Sequence, residues 1–227
     1  MDTSFFNGTL SPREFSLASS AFADKWRRFN PTFPSWTWVP CKKLPWAPSD
    51  EVEGYLKLEN VCLPGSSKVD SEGGSCVGKE ETSCSDNEDL IDNATLVQSS
   101  HHEVHYYDFH IVYNASYRVP VLYFRAYCSD GQPLLLDEIE KDLPACSAKL
   151  LLESKWTFIS QEEHPYLNRP WYKVHPCGTS EWMKLLALGD AVQAKNGVSI
   201  EQYLVSWLSV VGQVVGLKIP LEMLNDS

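Results

Sequence analysis

Residues 106–128 read YYDFHIVYNASYRVPVLYFRAYC, and this stretch decides the fold. Tyr107, Phe109, Ile111 and Tyr113 alternate with Asp108, His110 and Val112, which is the period of two of a β-strand. Asn114-Ala115-Ser116 supplies turn residues, and Val119 to Cys128 then runs almost entirely apolar. Pro120 falls at the start of that second run, where a missing N–H is tolerated. Two strands joined by so short a turn predict an antiparallel hairpin, closed off by the turn residues Ser129-Asp130-Gly131.

Upstream of the hairpin, Ser11-Pro12-Arg13-Glu14 combines a cap residue, a proline at the first helical position and a glutamate three residues after the cap. Phe15, Ala18, Phe22, Trp26 and Phe29 follow at helical spacing, so residues 12–29 are expected to form an amphipathic helix ended by Asn30-Pro31. Trp36, Trp38, Val39, Pro40 and Cys41 suggest a short strand, and Tyr55 to Glu59 a second. Residues 64–102 change character. They contain no aromatic residue, and acidic residues far outnumber Lys68 and Lys79. Such a segment cannot bury enough apolar surface to offset its ordering entropy, so a disordered acidic insertion is expected within a single domain spanning 1–227.

Downstream, Leu134 to Leu152 has helical character interrupted by Pro144, and Trp156 to Ile159 suggests a short strand. Residues 161–178 read as a proline-rich loop. A helix is expected at about 180–188, ended by Gly189. Ser199 and Gln202 form a second capping box before Ile200, Tyr203, Leu204, Trp207, Leu208 and Val211, which share one helical face. Strands grouped before helices argue an α+β fold with helices on one face and at the ends of one sheet.

The 227 residues include 8 Trp, 10 Tyr and 9 Phe, and 30 acidic residues face 19 basic ones for a net charge of -11. Nucleic acid and anionic membrane are poor partners for such a surface, because both require lysine and arginine to neutralise phosphate. No secretory signal opens the sequence, and the stretch from Gln202 to Leu217 is too short and broken to span a bilayer. A cytoplasmic protein is expected. The seven cysteines contain no Cys-x-x-Cys pair, which argues against zinc ribbons and thioredoxin-like motifs. Most are expected to be small core residues, Cys128 and Cys146 among them. His101, His102 and His105 with Cys76 and Cys84 lack fixed ligand spacing, so no metal or other cofactor is expected.

Cys177 has a different setting. It follows His175-Pro176 in a polar loop and precedes Gly178-Thr179-Ser180, where Thr179 or Ser180 can cap a helix. A thiol ahead of a helix N-terminus meets unpaired N–H groups and the positive dipole end, which suits a nucleophile. Chemistry alone leaves open a buried structural cysteine.

The hairpin from Tyr106 to Ala126 resembles that of the ubiquitin-like-conjugating enzymes of autophagy. So do Glu163-His164-Pro165-Tyr166-Leu167, His175-Pro176-Cys177 and Trp207-Leu208-Ser209-Val210-Val211-Gly212. The resemblance covers roughly residues 103–217. It implies a ubiquitin-conjugating-enzyme-like fold and an acyltransferase working through a thioester on Cys177. The modifier implied is autophagy-related protein twelve, the activating enzyme autophagy-related protein seven, and the lysine acceptor autophagy-related protein five. The sibling branch, autophagy-related protein three, also carries His-Pro-Cys but is longer and acts in modifier lipidation; a non-catalytic binding module on the same scaffold is the other alternative. Ordinary ubiquitin-conjugating enzymes carry His-Pro-Asn before the cysteine, where this chain has His164-Pro165-Tyr166. The oxyanion stabiliser is therefore sought in Asn168, in Asn114, or in the backbone N–H groups of 178–180. His175 is expected to order the cysteine loop. The outer face of the first helix, with Arg13, Arg27 and Arg28, is the expected platform for the activating enzyme.

Overall fold

The computed structural model describes residues 7–41, 54–63, 104–153, 158–193 and 199–225. The acidic insertion expected at about 64–102 lies outside them, as do Trp156 and Thr157 of the strand expected there. Six strands form one antiparallel sheet in the order β1-β2-β3-β4-β6-β5. They are β1 Thr37–Pro40, β2 Gly54–Cys62, β3 His105–Asn114, β4 Val119–Cys128, β5 Ile159–Glu163 and β6 Pro170–Val174. The helices are α1 Pro12–Phe29, α2 Leu136–Asp142, α3 Ala145–Glu153, α4 Thr179–Gln193, α5 Ile200–Val214 and α6 Glu222–Asn225.

The central hairpin forms as the alternation predicts, with Asn114 opposite Val119 and His105 opposite Cys128. Its period of two divides the side chains between two faces. Phe109, Ile111, Leu122 and Phe124 join the main core under α1 and α5, whereas Val112, Val121 and Tyr123 join a smaller cluster with Tyr55 and Trp171 on the opposite face. The sheet is thus buried on both sides, which is why the second hairpin strand reads as continuously apolar.

Helix α1 is fixed at its start by a complete capping box. Glu14 N donates to Ser11 Oγ, and Ser11 N donates to the Glu14 carboxylate. Phe15, Ala18, Phe22 and Trp26 are buried as the spacing predicts. Trp26 meets Phe22, Phe33 and Trp36 ring to ring, and its indole N–H donates to Pro34 O at 2.9 Å. Removing Phe22 from this cluster would cost about 3–5 kcal/mol, the range for deleting a buried aromatic side chain.

Several expectations need correction. Residues 161–178 are not simply a loop. β5 begins at Ile159, β6 occupies 170–174, and the two pair from Ile159–Val174 to Glu163–Pro170. The proline density does not prevent this pairing, because Pro170 begins its strand, where it disrupts no interior ladder bond. α4 runs through Gly189 to Gln193. A single helix-interior glycine costs only about 1 kcal/mol, which the rest of the helix absorbs. Ser199 caps α5 by accepting from Gln202 N, but the Gln202 side chain does not return to the cap. It accepts from Lys25 of α1 and donates to Met223 O in α6, tying three helices together. Ile200 is 37% exposed, outside the buried face of α5.

The cysteines also depart from the expected pattern. Cys128 is half-buried and Cys146 is exposed. In α3 the helix turns Ser147 inward instead, at 2% exposure. Of the histidines considered as metal ligands, His105 bonds through Nδ1 to the Asp142 carboxylate at 2.7 Å, which also accepts from Tyr107. His101, His102, Cys76 and Cys84 lie outside the described residues.

Candidate active site

Cys177 sits at the tip of the connection from β6 to α4. Val174 ends the strand, His175 N still donates to Phe158 O at 3.0 Å, and Pro176 is buried. Cys177 and Gly178 are then exposed, and Thr179, the first residue of α4, is buried at 4%. Thr179 and Ser180 therefore belong to the helix itself and do not precede it as caps. The chain reverses at Gly178, whose φ of 76° is left-handed, a conformation that glycine adopts without steric cost. A Cβ there would meet nothing within 4 Å beyond its chain neighbours, so the glycine serves backbone shape and not close packing.

His175 orders this turn through its ring. Cys177 N donates to His175 Nδ1 at 3.1 Å, so the neutral ring holds its own proton on Nε2. Nδ1 of His175 is thus engaged by a backbone N–H of the loop itself. Thr179 N donates to Pro176 O and Trp182 N to Gly178 O. Of the three backbone groups considered for an oxyanion, the Thr179 N–H is thus already bonded within the turn.

The β3–β4 turn approaches the same loop. The Tyr117 ring stands edge-on to His175 with centroids 6.5 Å apart, and it is 50% exposed. Asn114 shapes this turn by accepting from Tyr117 N at 3.0 Å. Asn114 is the turn residue expected near the cysteine loop, and Tyr117 joins it there without having been expected. An aromatic side chain in a tight polar turn was the available signal, because turns carry exposed functional groups.

Asn168 is not brought to Cys177. It lies in the turn between β5 and β6, with φ at 50° and its N–H donating to His164 O. The five residues of β6 separate the two positions, a span of about 16 Å at the usual rise of a strand. Glu162 and Glu163 lie at that same remote end, and Glu162 pairs with Lys173 at 2.6 Å. Glu181 stands in the first turn of α4, exposed.

The His164-Pro165 turn closes the opposite face of the sheet. His164 is fully buried; its Nδ1 accepts from Tyr166 N, and its Nε2 lies 3.0 Å from His110 Nδ1. Burial pushes His164 down to about 4, and burial with the neighbouring His164 pushes His110 down to about 3. Both rings are neutral at physiological pH. Tyr55, Tyr123 and Trp171 surround them.

The model for the active-site domain of autophagocytosis-associated proteins matches residues 14–222, a span that takes in the Cys177 loop. The chain is 55% identical over 219 residues to the ubiquitin-like-conjugating enzyme ATG10 of Arabidopsis thaliana, covering 96% of each protein. It belongs to the ubiquitin-like-conjugating enzymes of autophagy. The human ATG10 enzyme is 35% identical over 193 residues, which span 82% of this chain and 81% of that one. A solved structure of the autophagic conjugating enzyme Atg10 is 18% identical and covers 92% of this chain and 99% of its own; its TM-score of 0.42 marks a loose likeness. Membership makes the protein an enzyme of ubiquitin-like conjugation, with the antiparallel sheet and flanking helices of that fold. No helix among the described residues is long and apolar enough to cross a membrane.

Proposed function

We propose that Cys177 carries a ubiquitin-like modifier as a thioester and that the enzyme passes it to a lysine of a second protein. The observation that supports this reading is the setting of Cys177. It is exposed at a turn between β6 and α4, its N–H is held by His175, and Gly178 beside it is left-handed. Of the other described cysteines, Cys62 is in β2, Cys146 in α3, and Cys41 and Cys128 are half-buried. None of them stands at an exposed left-handed turn directly before a helix.

The first step is exchange between thioesters. The Cys177 thiolate attacks the carbonyl carbon at the C-terminus of the modifier, held as a thioester by the activating enzyme. A new C–S bond forms to Cys177 and the activating enzyme's sulfur leaves as thiolate. In the second step a neutral lysine amine attacks the same carbon. The C–N bond forms, the C–S bond breaks, Cys177 departs as thiolate and the amine's proton passes to solvent. The energy of the acyl bond comes from ATP spent earlier by the activating enzyme, so this chain needs no cofactor of its own.

The partners proposed are autophagy-related protein twelve as modifier, autophagy-related protein seven as activating enzyme and autophagy-related protein five as acceptor, acting in the cytoplasm. Arg13 at the start of α1 and Arg27 and Arg28 in its last turn are exposed, with Asp24 paired to Arg27 between them, and this outer face is the proposed contact for the activating enzyme. The test incubates the protein with ATP, activating enzyme and labelled modifier and compares non-reducing with reducing gels. The reading expects a band that dithiothreitol removes and Cys177→Ala abolishes. No band, where the activating enzyme forms its own thioester, would leave a binding module on this scaffold as the function.

A further inference from the structure

The segment before α1 is built into the base of the active site, and the mechanism above does not use it. Gly8 and Leu10 are buried although they precede the first helix. Gly8 has a φ of 79°, and a Cβ placed on it would overlap the backbone carbonyl of Ser180. Ser180 lies in the first turn of α4, three residues beyond Cys177. Gly8 O accepts from the buried Tyr203 hydroxyl of α5 at 2.7 Å. Two residues on, Leu10 N donates to Arg118 O at 2.8 Å, and Leu10 O accepts from the Tyr113 hydroxyl at 2.7 Å. Arg118 adjoins Tyr117, whose ring stands against His175, and His175 holds Cys177 N.

Two residues of one short strap, Gly8 and Leu10, therefore meet three elements. They press on the start of α4, hang from α5, and tie off the β3–β4 turn. The first and third of these contacts lead directly to the Cys177 loop, from its two sides. Gly8 is required twice over, because its backbone is left-handed and because no side chain fits between it and Ser180.

We propose that Gly8 is a positioning residue for the conjugation reaction: the strap it anchors fixes the register of the α4 N-terminus against the β3–β4 turn and thereby sets the placement of the Cys177 sulfur. This rests on Cys177 as the nucleophile. Any side chain at position 8 must move either the strap or Ser180. Ser180 is connected to Cys177 by only two residues, Gly178 and Thr179, so a shift of the helix start is passed to the sulfur. Misplacing a reacting group by about 1 Å can cost on the order of 100-fold in rate.

The test compares full-length Gly8→Ala with Gly131→Ala. Gly131 is also left-handed, with a φ of 86°, but a Cβ there meets nothing within 4 Å, so it carries the backbone strain without the clash. Thioester is preformed on each protein and chased with the acceptor, well below the melting temperature of each variant and normalised to folded protein. Gly8→Ala is expected to lower the maximal discharge rate at least tenfold while the half-saturating acceptor concentration stays unchanged. Gly131→Ala should remain within twofold of wild type. Equal maximal rates for the two variants would overturn the proposal.

Tyr203→Phe, which removes a single hydroxyl from the strap's anchor, provides a gentler variant if Gly8→Ala does not fold. It should slow discharge about threefold, and a wild-type rate would count against the strap. A second readout needs no conjugation. Alkylation of Cys177 by iodoacetamide, followed by mass spectrometry with the exposed Cys62 and Cys146 as internal references, should change at least threefold in Gly8→Ala and at neither reference cysteine. If wild type forms no thioester, the proposed function falls while this alkylation comparison still decides the role of the strap. An unchanged Cys177 rate would refute it.

Discussion

Lowering the pH from 7 to 5 should remove about 4 kcal/mol of folding stability through two buried histidines, His110 and His164. Their hydrogen bonding fixes both tautomers. His164 Nδ1 accepts from Tyr166 N, so its proton is on Nε2, from which it donates to His110 Nδ1. His110 therefore holds its proton on Nε2, which is buried and has no hydrogen-bond partner among the described residues. Adding a proton to either ring would place two N–H groups face to face in a site walled by Tyr55, Tyr123 and Trp171. Arg125 and Lys57 oppose charge on His110 further. With folded values at about 3 and about 4, both rings stay neutral at pH 5, whereas an unfolded histidine near 6.5 is almost fully protonated there.

The sign follows from proton uptake. Below about 6.5 the unfolded chain binds protons that the folded chain refuses, so stability falls as pH falls, and the loss levels off only as the folded values near 4 and 3 are reached. Each ring contributes about 2 kcal/mol between pH 7 and 5. Urea unfolding at the two pH values measures the total, and His110→Phe isolates the pair. Phenylalanine keeps a ring against Trp171, which stacks on His110 at 4.2 Å. It leaves the His164 N–H without an acceptor, at a cost of about 1–3 kcal/mol at pH 7, partly offset by removal of His110's own unpartnered donor. The variant should lose about 2 kcal/mol less than wild type on acidification. The other histidines cancel in this difference. Equal acid sensitivity in the two proteins would refute the buried neutral pair.

Other outcomes follow from single contacts. Gly178→Ala should cost about 1–2 kcal/mol by backbone strain alone, since its surroundings are open, and Gly178→Asn should recover part of it because asparagine tolerates the left-handed region; thermal melts of the two compare them. Asp108 is 2% exposed and binds Arg125, Tyr127 and Asn60 N at the β2 bulge, so Asp108→Ala should destabilise by about 2–4 kcal/mol in urea titrations, the exposed side of Arg125 lowering the figure for a fully buried pair. Asn168→Gly keeps the left-handed turn and should change thioester discharge less than twofold, because β6 holds that turn away from Cys177; a tenfold loss would show that the two ends meet in the working complex.

What the sequence revealed and what it hid have the same physical origin. Period-two alternation and side-chain caps are local, so the β3–β4 hairpin, the Ser11 capping box and the span 12–29 could be read directly and formed as read. The exposed turn that holds Cys177 was legible for the same reason, since its proline, glycine and following helix are all neighbours in the chain. The errors arose where partners are distant. Gln202 is spaced for a cap but bonds to Lys25 and Met223, and Pro170 reads as a loop residue until β4 supplies the neighbour that makes β6 a strand. Asn168 and Tyr117 exchange their places relative to the Cys177 loop for this reason. Nine residues separate Asn168 from Cys177 in sequence, yet a strand fills that gap and carries it away. Sixty separate Tyr117, yet two hairpins return it to His175. The contact between Gly8 and Ser180 is the extreme case. No local pattern marks Gly8, because what excludes a side chain there is a carbonyl 172 positions along the chain.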